Sequence, residues 1–305
     1  MFVKPHKVGS SSMANLVRLI VARNGGIRRE FMYPQYTADF FARAETHSLE
    51  EGPHIWADHH NLSYLMEIGE PKIIQESFKV TLVRDPVDRC LSSFYYYDIE
   101  RENLNRNQMS EKELTRRKME FNQCSKNEKI VAQMSEIAPK GDESSVEETL
   151  AFYDLIGITG RYMESLAVMK MLLGLRYGDM LHFNDKFHPE KRPPITEEPS
   201  RVIEHVKTLI PPADWDLFNA ANQRLSETIR KLEPEFSLVH STLVETMTNS
   251  RLECDKEHGH VGKGYMLPYG FGCFSQGSCK LSCLNKYATD NGLWDAPEPV
   301  DLGKL

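Results

Sequence analysis

The sequence predicts an α/β protein, a parallel sheet flanked by helices, with an irregular Cys/Gly-rich C-terminal appendage. Short apolar runs closed by loops that open into helical patterns recur through roughly the first 180 residues, the signature of strand–loop–helix units. No internal repeat interrupts them, and from Cys254 onward the chain turns to Gly, Cys and aromatic residues with little periodicity. The 305 residues, 40% hydrophobic and 27% charged, can bury a large core. The expected division is a main domain over 1–250 and an extension over 251–305 packed on it.

Residues 2–7 read as a short strand and 9–12 as a small-residue loop. A helix follows from about 13 to 23, with Met13, Leu16, Val17 and Ile20 on one face and Gly25-Gly26 ending it. Apolar alternation predicts a strand over 78–83, closed by Arg84-Asp85-Pro86, and proline suits the start of the next helix, about 87–97. Residues 111–137 are charged and mostly helical, and 139–145 form an exposed loop. A third strand is expected over 154–159, then an amphipathic helix over 161–173 whose Met163, Leu166, Met169, Met171 and Leu172 belong to the core. A fourth strand is expected over 180–183. Helices over 200–209 and 214–232, divided by Pro211-Pro212, finish the regular part.

Composition excludes several classes. With 37 Lys+Arg against 44 Asp+Glu, the net charge of −7 argues against a nucleic-acid partner. No apolar run reaches the length of about 18 residues that a membrane helix needs, and the opening residues lack a signal core. Cys90 and Cys124 stand alone, whereas Cys254, Cys273, Cys279 and Cys283 crowd the tail. None has the C-x2-C spacing of a zinc knuckle, so metal binding by these four with His258 and His260 is disfavoured. A disulfide-stapled tail is favoured over metal binding, with free buried thiols as the bland alternative.

Two motifs carry chemistry. Lys7-Val8-Gly9-Ser10-Ser11-Ser12 lies between strand and helix, where backbone N–H groups and the positive end of a helix converge. Gly9 permits close approach, the serines add hydroxyls and Lys7 adds a charge, a set suited to phosphate or sulfate. The Walker order is absent because the lysine precedes the glycine. The bland alternative is a Ser-rich helix cap. Arg84-Asp85-Pro86-Val87-Asp88-Arg89-Cys90-Leu91-Ser92 again joins a strand to a helix. Arg84 and Ser92 would converge on a second phosphate at the strand's C-terminal end. The alternative pairs Arg84 with Asp85 or Asp88 in a surface ion pair, and Arg89 is as suited to a helix-surface pair with those aspartates as to helping hold the phosphate.

These residues resemble the sulfotransferases: Lys7–Ser12 is similar to their 5′-phosphosulfate loop, and Arg84–Ser92 to their 3′-phosphate motif, R-x-P-x-x-R-x-x-S. The stretches "HKVGSSS", "LVRDPVDRCLSSFYYY" and "GRYMESLAVMKMLLG" most resemble the carbohydrate branch, first the galactose-3-O-sulfotransferases and next the uronyl/heparan-sulfate 2-O-sulfotransferases. The resemblance covers roughly 2–183. It implies a P-loop-like fold and the donor 3′-phosphoadenosine 5′-phosphosulfate (PAPS), with adenosine 3′,5′-bisphosphate as product and no metal. It also implies a carbohydrate or glycolipid acceptor. Such enzymes usually carry an N-terminal membrane anchor, so membrane contact is expected only through an anchor absent from this sequence. The Golgi lumen is the implied location, the cytoplasm the alternative.

The roles follow from the chemistry of sulfuryl transfer, a loose in-line displacement governed by positioning and charge. Lys7 is expected to offset charge growing on the 5′-phosphate, assisted by N–H groups of Val8, Gly9, Ser10, Ser11 and Ser12. Arg84 and Ser92 anchor the 3′-phosphate. The acceptor hydroxyl needs a base, and His59 and His60 lie between the two motifs. Neighbours on an extended segment point opposite ways, and His60 is favoured, with Asp58 orienting the ring. Glu76 and Glu100 are secondary candidates. Asn61 opens a glycosylation sequon expected to be unoccupied. Tyr95-Tyr96-Tyr97 is expected to be core, the basic group Lys186, His188, Lys191 and Arg192 a solvated loop, and the glycine/lysine run 259–264 an ordinary tail turn.

Overall fold

The computed structural model describes residues 1–3, 5–24, 57–58, 62–68, 71–100, 109–121, 124, 126–127, 130–183, 193–258, 281–295, 297 and 299–300. Strand β1 (Phe2–Val3) leads into helix α1 (Ser10–Arg23). After β2 (Ala57–Asp58), α2 (Leu62–Ile68) and α3 (Pro71–Glu76) comes β3 (Val80–Val83), which feeds α4 (Pro86–Phe94) and a π-helical turn over Tyr95–Glu100. Next are α5 (Glu111–Glu120), the antiparallel pair β4 (Lys126–Asn127) and β5 (Ile130–Val131), α6 (Gln133–Ile137) and α7 (Val146–Phe152). Strand β6 (Leu155–Ile158) leads to α8 (Tyr162–Leu173) and α9 (Tyr177–Met180). Helices α10 (Ser200–Leu209), α11 (Pro212–Leu232), α12 (Glu235–His258) and α13 (Leu281–Asp290) complete the described elements.

The main sheet is parallel, in the order β2-β1-β3-β6. From β1 the chain moves outward one way to β2 and then returns past β1 to β3 and β6. The strand order therefore reverses between β1 and β3, the place where open α/β sheets leave a crevice beyond the strands' C-terminal ends. Phe2, Val3, Leu82 and Val83 are completely buried, as strands covered on both faces must be. Thr81, also buried, donates its hydroxyl to the Val3 carbonyl at 3.0 Å and ties β3 to β1.

Helix α8 lies against β6 because Gly157 leaves room for it: a Cβ there would stand 2.7 Å from Leu82 Cδ2 and 2.9 Å from Ser165 Cβ. Ser165 in turn accepts the Ile158 N–H at 2.9 Å. Leu166, Met169 and Met171 are buried there as expected, with Met163 and Leu172 partly so. A second cluster joins α4, α5 and α10 through Phe94, Phe121, Val202, Val206 and Ile210.

Three expectations require correction. Residues 180–183 do not form a strand. Met180 ends α9, its carbonyl meets the His182 ring at 2.9 Å, and Arg23 takes the Leu181 carbonyl at 2.8 Å, so a helix end and side chains occupy this backbone. The 111–137 stretch is not one helical region: α5 ends at Glu120, and a β pair intervenes before α6. Regular structure also continues past Leu232, because α12 sends Leu243, Met247 and Cys254 into the main core and α13 adds Cys283, Leu284 and Tyr287.

Cys254 and Cys283 form a disulfide, Cα–Cα 5.8 Å, that pins α13 to α12. Cys90 and Cys124 also pair, Cα–Cα 4.8 Å, although nothing in their spacing marked them as partners. Cys273 and Cys279 lie outside the described residues. No helix among the described residues is long and apolar enough to cross a membrane.

Candidate functional site

The turn after β1 is built on two left-handed residues. Lys7 has φ 63° and Gly9 has φ 76° and ψ 11°. For a lysine this conformation costs about 1–2 kcal/mol, the kind of local strain that surrounding structure must hold in place at ligand-binding turns. Left-handed residues alternating along a turn aim successive N–H groups into one concavity, an anion nest. Helix α1 opens immediately after it with no acidic residue in its first turn, so its positive end faces the loop undiminished. The Gly9 carbonyl accepts from Ser12 and Met13. Ser10 and Ser12 are buried, Ser11 and Lys7 half-buried, and the Lys7 ammonium stands 3.7 Å from the Tyr96 ring centroid. These features fit the phosphosulfate end of PAPS.

The second motif stands beside the first. Asp85 caps α4 by accepting the Asp88 N–H at 2.9 Å, and Pro86 starts the helix. Arg84 donates from Nη1 to the Lys7 carbonyl at 2.9 Å and from Nε to Asp88 at 2.5 Å. The ion pair considered for Arg84 thus exists, but its guanidinium also spans the gap between β3 and β1. Ser92, half-buried, lies one turn beyond Asp88 on α4.

A third loop joins the other two. Thr159, just after β6, donates its hydroxyl to the Val8 carbonyl at 2.6 Å and the Val83 carbonyl at 3.1 Å. Its methyl group would meet a Cβ at Gly9 at 3.5 Å. Nothing in the sequence singled out Thr159, because its role exists only once three strand ends are side by side.

Beneath the loops lies a buried charged group that the sequence misassigned. Arg89 is 2% exposed, on the inner face of α4 rather than paired at its surface. Asp85 is engaged as the cap and Asp88 with Arg84, so Arg89 turns inward. It donates from Nε to the His6 carbonyl at 3.0 Å and from Nη2 to Glu136 at 2.7 Å, with Asp214 at 3.8 Å. Glu136 also receives the His6 N–H at 3.2 and 3.1 Å and the His6 ring at 2.5 Å. Asp214 accepts the N–H groups of Gln133 and Met134. Burial pushes its pKa up, opposed by Arg89 and those N–H donors and aided by Glu136.

His59 and His60, the proposed bases, lie outside the described residues, as do Asn61, residues 186–192 and residues 259–264. Asp58 ends β2 on the same side of the sheet as the β1 loop, since the strands run parallel. Glu76 precedes β3 and so belongs to the opposite end of that strand. Tyr95 is buried with its hydroxyl donating to Glu198, whereas Tyr96 carries the Lys7 ammonium. His182 is buried, with both ring nitrogens engaged. Its Nδ1 meets the Met180 carbonyl at 2.9 Å and therefore holds the proton, leaving Nε2 to accept from Tyr162 at 3.0 Å. Burial lowers its pKa to about 4, the Met180 contact opposing and Arg251 and Arg23 assisting. Among the described residues no three His, Cys, Asp or Glu side chains gather as metal ligands would.

An anion nest and an arginine thus lie side by side at the switch point of a parallel sheet, the place where open α/β folds bind their ligands. The sequence model of the sulfotransferase family matches residues 6–176, more than half the chain, and spans all three loops. The chain belongs to the sulfotransferase family and is a sulfotransferase enzyme, for which the family implies PAPS as donor. No curated protein and no solved structure matches it significantly.

Proposed function

We propose that this enzyme transfers the sulfuryl group of PAPS to a sugar hydroxyl, the 3-OH of galactose in a glycolipid or glycan. The observation that carries this reading is the 2.9 Å contact between Arg84 and the Lys7 carbonyl, which places the two phosphate-binding turns side by side. PAPS supplies the sulfuryl group, whose bond to the 5′-phosphate oxygen breaks as one to the acceptor oxygen forms. Lys7 and the N–H groups of residues 8–12 offset the charge that grows on the leaving phosphate. Arg84 and Ser92 hold the 3′-phosphate, fixing the donor's direction, and His60 takes the proton of the acceptor hydroxyl, with His59 as the alternative. The resemblance of these stretches to the galactose-3-O-sulfotransferases and the net charge of −7 favour a neutral sugar over a polyanionic uronic-acid chain. The two disulfides suit an oxidising compartment, in keeping with a Golgi-lumenal enzyme. We further propose residues 1–250 as the sulfotransferase domain and 251–305 as an extension packed on it.

The test is transfer of labelled sulfate from PAPS by the purified chain to a panel of galactose-terminated glycolipids and glycans, with heparan-type chains alongside. Sulfation of galactose, abolished in His60→Ala while adenosine 3′,5′-bisphosphate still binds, is the expected result. Sulfation of the heparan-type chains alone would replace the acceptor, and full activity of His60→Ala would move the base.

A further inference from the structure

Helix α6 carries two buried polar residues three positions apart, hence on one face: Gln133, fully buried, and Glu136, 3% exposed. Each brackets the main chain of a different phosphate-binding turn. The Gln133 side chain accepts the Arg84 N–H at 2.9 Å and donates to the Arg84 carbonyl at 3.2 Å. Glu136 accepts the His6 N–H with both oxygens, and Arg89, held on the same carboxylate, donates to the His6 carbonyl. Asp214, at the start of α11, fixes the N-terminal end of α6 through the N–H groups of Gln133 and Met134 at 3.0 and 2.8 Å.

Pure stability does not require this arrangement. A buried charged group is weak support for a fold, since apolar residues of similar volume often serve as well. What the arrangement specifies is geometry. Both N–H and C=O of the residue before Lys7, and both N–H and C=O of Arg84, are referred to a single turn of helix. Sheet pairing alone ties β1 to β3 through a single residue pair, Phe2 and Val80, so the short β1 leaves the spacing of the two turns to be set elsewhere.

We propose that Gln133 and Glu136 are positioning residues that set the distance between the 5′- and 3′-phosphate turns of the donor site. The inference rests on the reading of those turns as the two ends of a PAPS site. Gln133 governs the 3′ side through Arg84, and Glu136 the 5′ side through His6 and Arg89. The two residues should therefore be separable by ligand.

The experiment measures binding of adenosine 3′,5′-bisphosphate and adenosine 5′-phosphate by calorimetry to the full chain and to Gln133→Met and Glu136→Gln, with melting curves for each. Gln133→Met keeps the volume and removes both hydrogen bonds. It should weaken the bisphosphate roughly tenfold and leave the 5′-phosphate within about twofold. Glu136→Gln should weaken both nucleotides roughly ten- to a hundredfold, as loss of charge-assisted hydrogen bonds does. Equal loss of both ligands in Gln133→Met, or wild-type affinities in either variant, overturns the proposal. Should Glu136→Gln fail to fold, the ligand dependence of Gln133→Met decides alone. A wild-type chain that binds neither nucleotide refutes the donor-site reading itself.

Discussion

Thr159 offers the sharpest test of how the donor site is held. Its hydroxyl is shared between the carbonyls of Val8, in the turn after β1, and Val83, at the end of β3. Thr159→Val keeps the branched shape and a methyl group but removes the hydroxyl proton shared between the two carbonyls. A buried acceptor deprived of its donor costs about 1–3 kcal/mol. Thr159 is partly exposed, so water restores part of that, and a loss of about 1–2 kcal/mol is expected. At roughly 2–4 °C per kcal/mol, the melting point should fall by several degrees. The bridged carbonyls flank the cradle, so donor affinity should fall by up to about tenfold in the same variant, every 1.4 kcal/mol being tenfold. Thr159→Ser, which keeps the hydroxyl, should bind nearly as the wild type does. Titration with adenosine 3′,5′-bisphosphate, run beside thermal melts, reads both quantities. A lowered melting point with unchanged affinity would refute the reasoning, since the hydroxyl would then stabilise the fold without shaping the site.

Lys7→Ala should lower kcat by roughly 10²–10³-fold, the usual effect of losing one transition-state charge partner, with a smaller change in donor affinity. Arg84→Ala should do the reverse, weakening adenosine 3′,5′-bisphosphate by roughly ten- to a hundredfold; steady-state kinetics beside calorimetry separates the two patterns. His182 predicts a loss of stability in mild acid. Its folded pKa of about 4 lies below its unfolded value near 6.5, so the unfolded chain binds the proton first. The stability it contributes is complete above pH 6.5 and is lost as pH falls toward 4, roughly 2 kcal/mol of it between pH 7 and 5. Melting curves over that range should flatten in His182→Asn, and an identical acid loss in both proteins would contradict this. Peptide mapping without reductant should recover Cys90 joined to Cys124 and Cys254 joined to Cys283, and recovery of free thiols at these positions would remove the support for a lumenal location.

The local signals in the chain were sufficient to place both motifs at strand-to-helix junctions. Strand-to-helix punctuation around Gly9 and around Arg84-Asp85-Pro86 is written in residue types that need no tertiary partner to be understood: a glycine that tolerates positive φ, an aspartate cap and a proline at a helix start. Apolar periodicity likewise marked α1 and α8, whose faces repeat every turn. Residues 180–183 were misread because apolarity over four positions does not distinguish a strand from a buried turn, and it is Arg23, distant in sequence, and the His182 ring that take up the Leu181 and Met180 carbonyls.

The reversal of strand order between β1 and β3 was beyond sequence alone, because it depends on which strands pair and two-residue strands carry almost no pattern of their own. The inward turn of Arg89 had the same origin. Its partners Glu136 and Asp214 lie 47 and 125 positions away, and a charged residue on a helix reads as solvent-facing until the element that neutralises it is in place. Local composition determined the residue types each turn presents, while the packing of α6, β6 and α4 around them brought the two turns side by side, since only long-range contacts can fix a distance between loops that share no sequence.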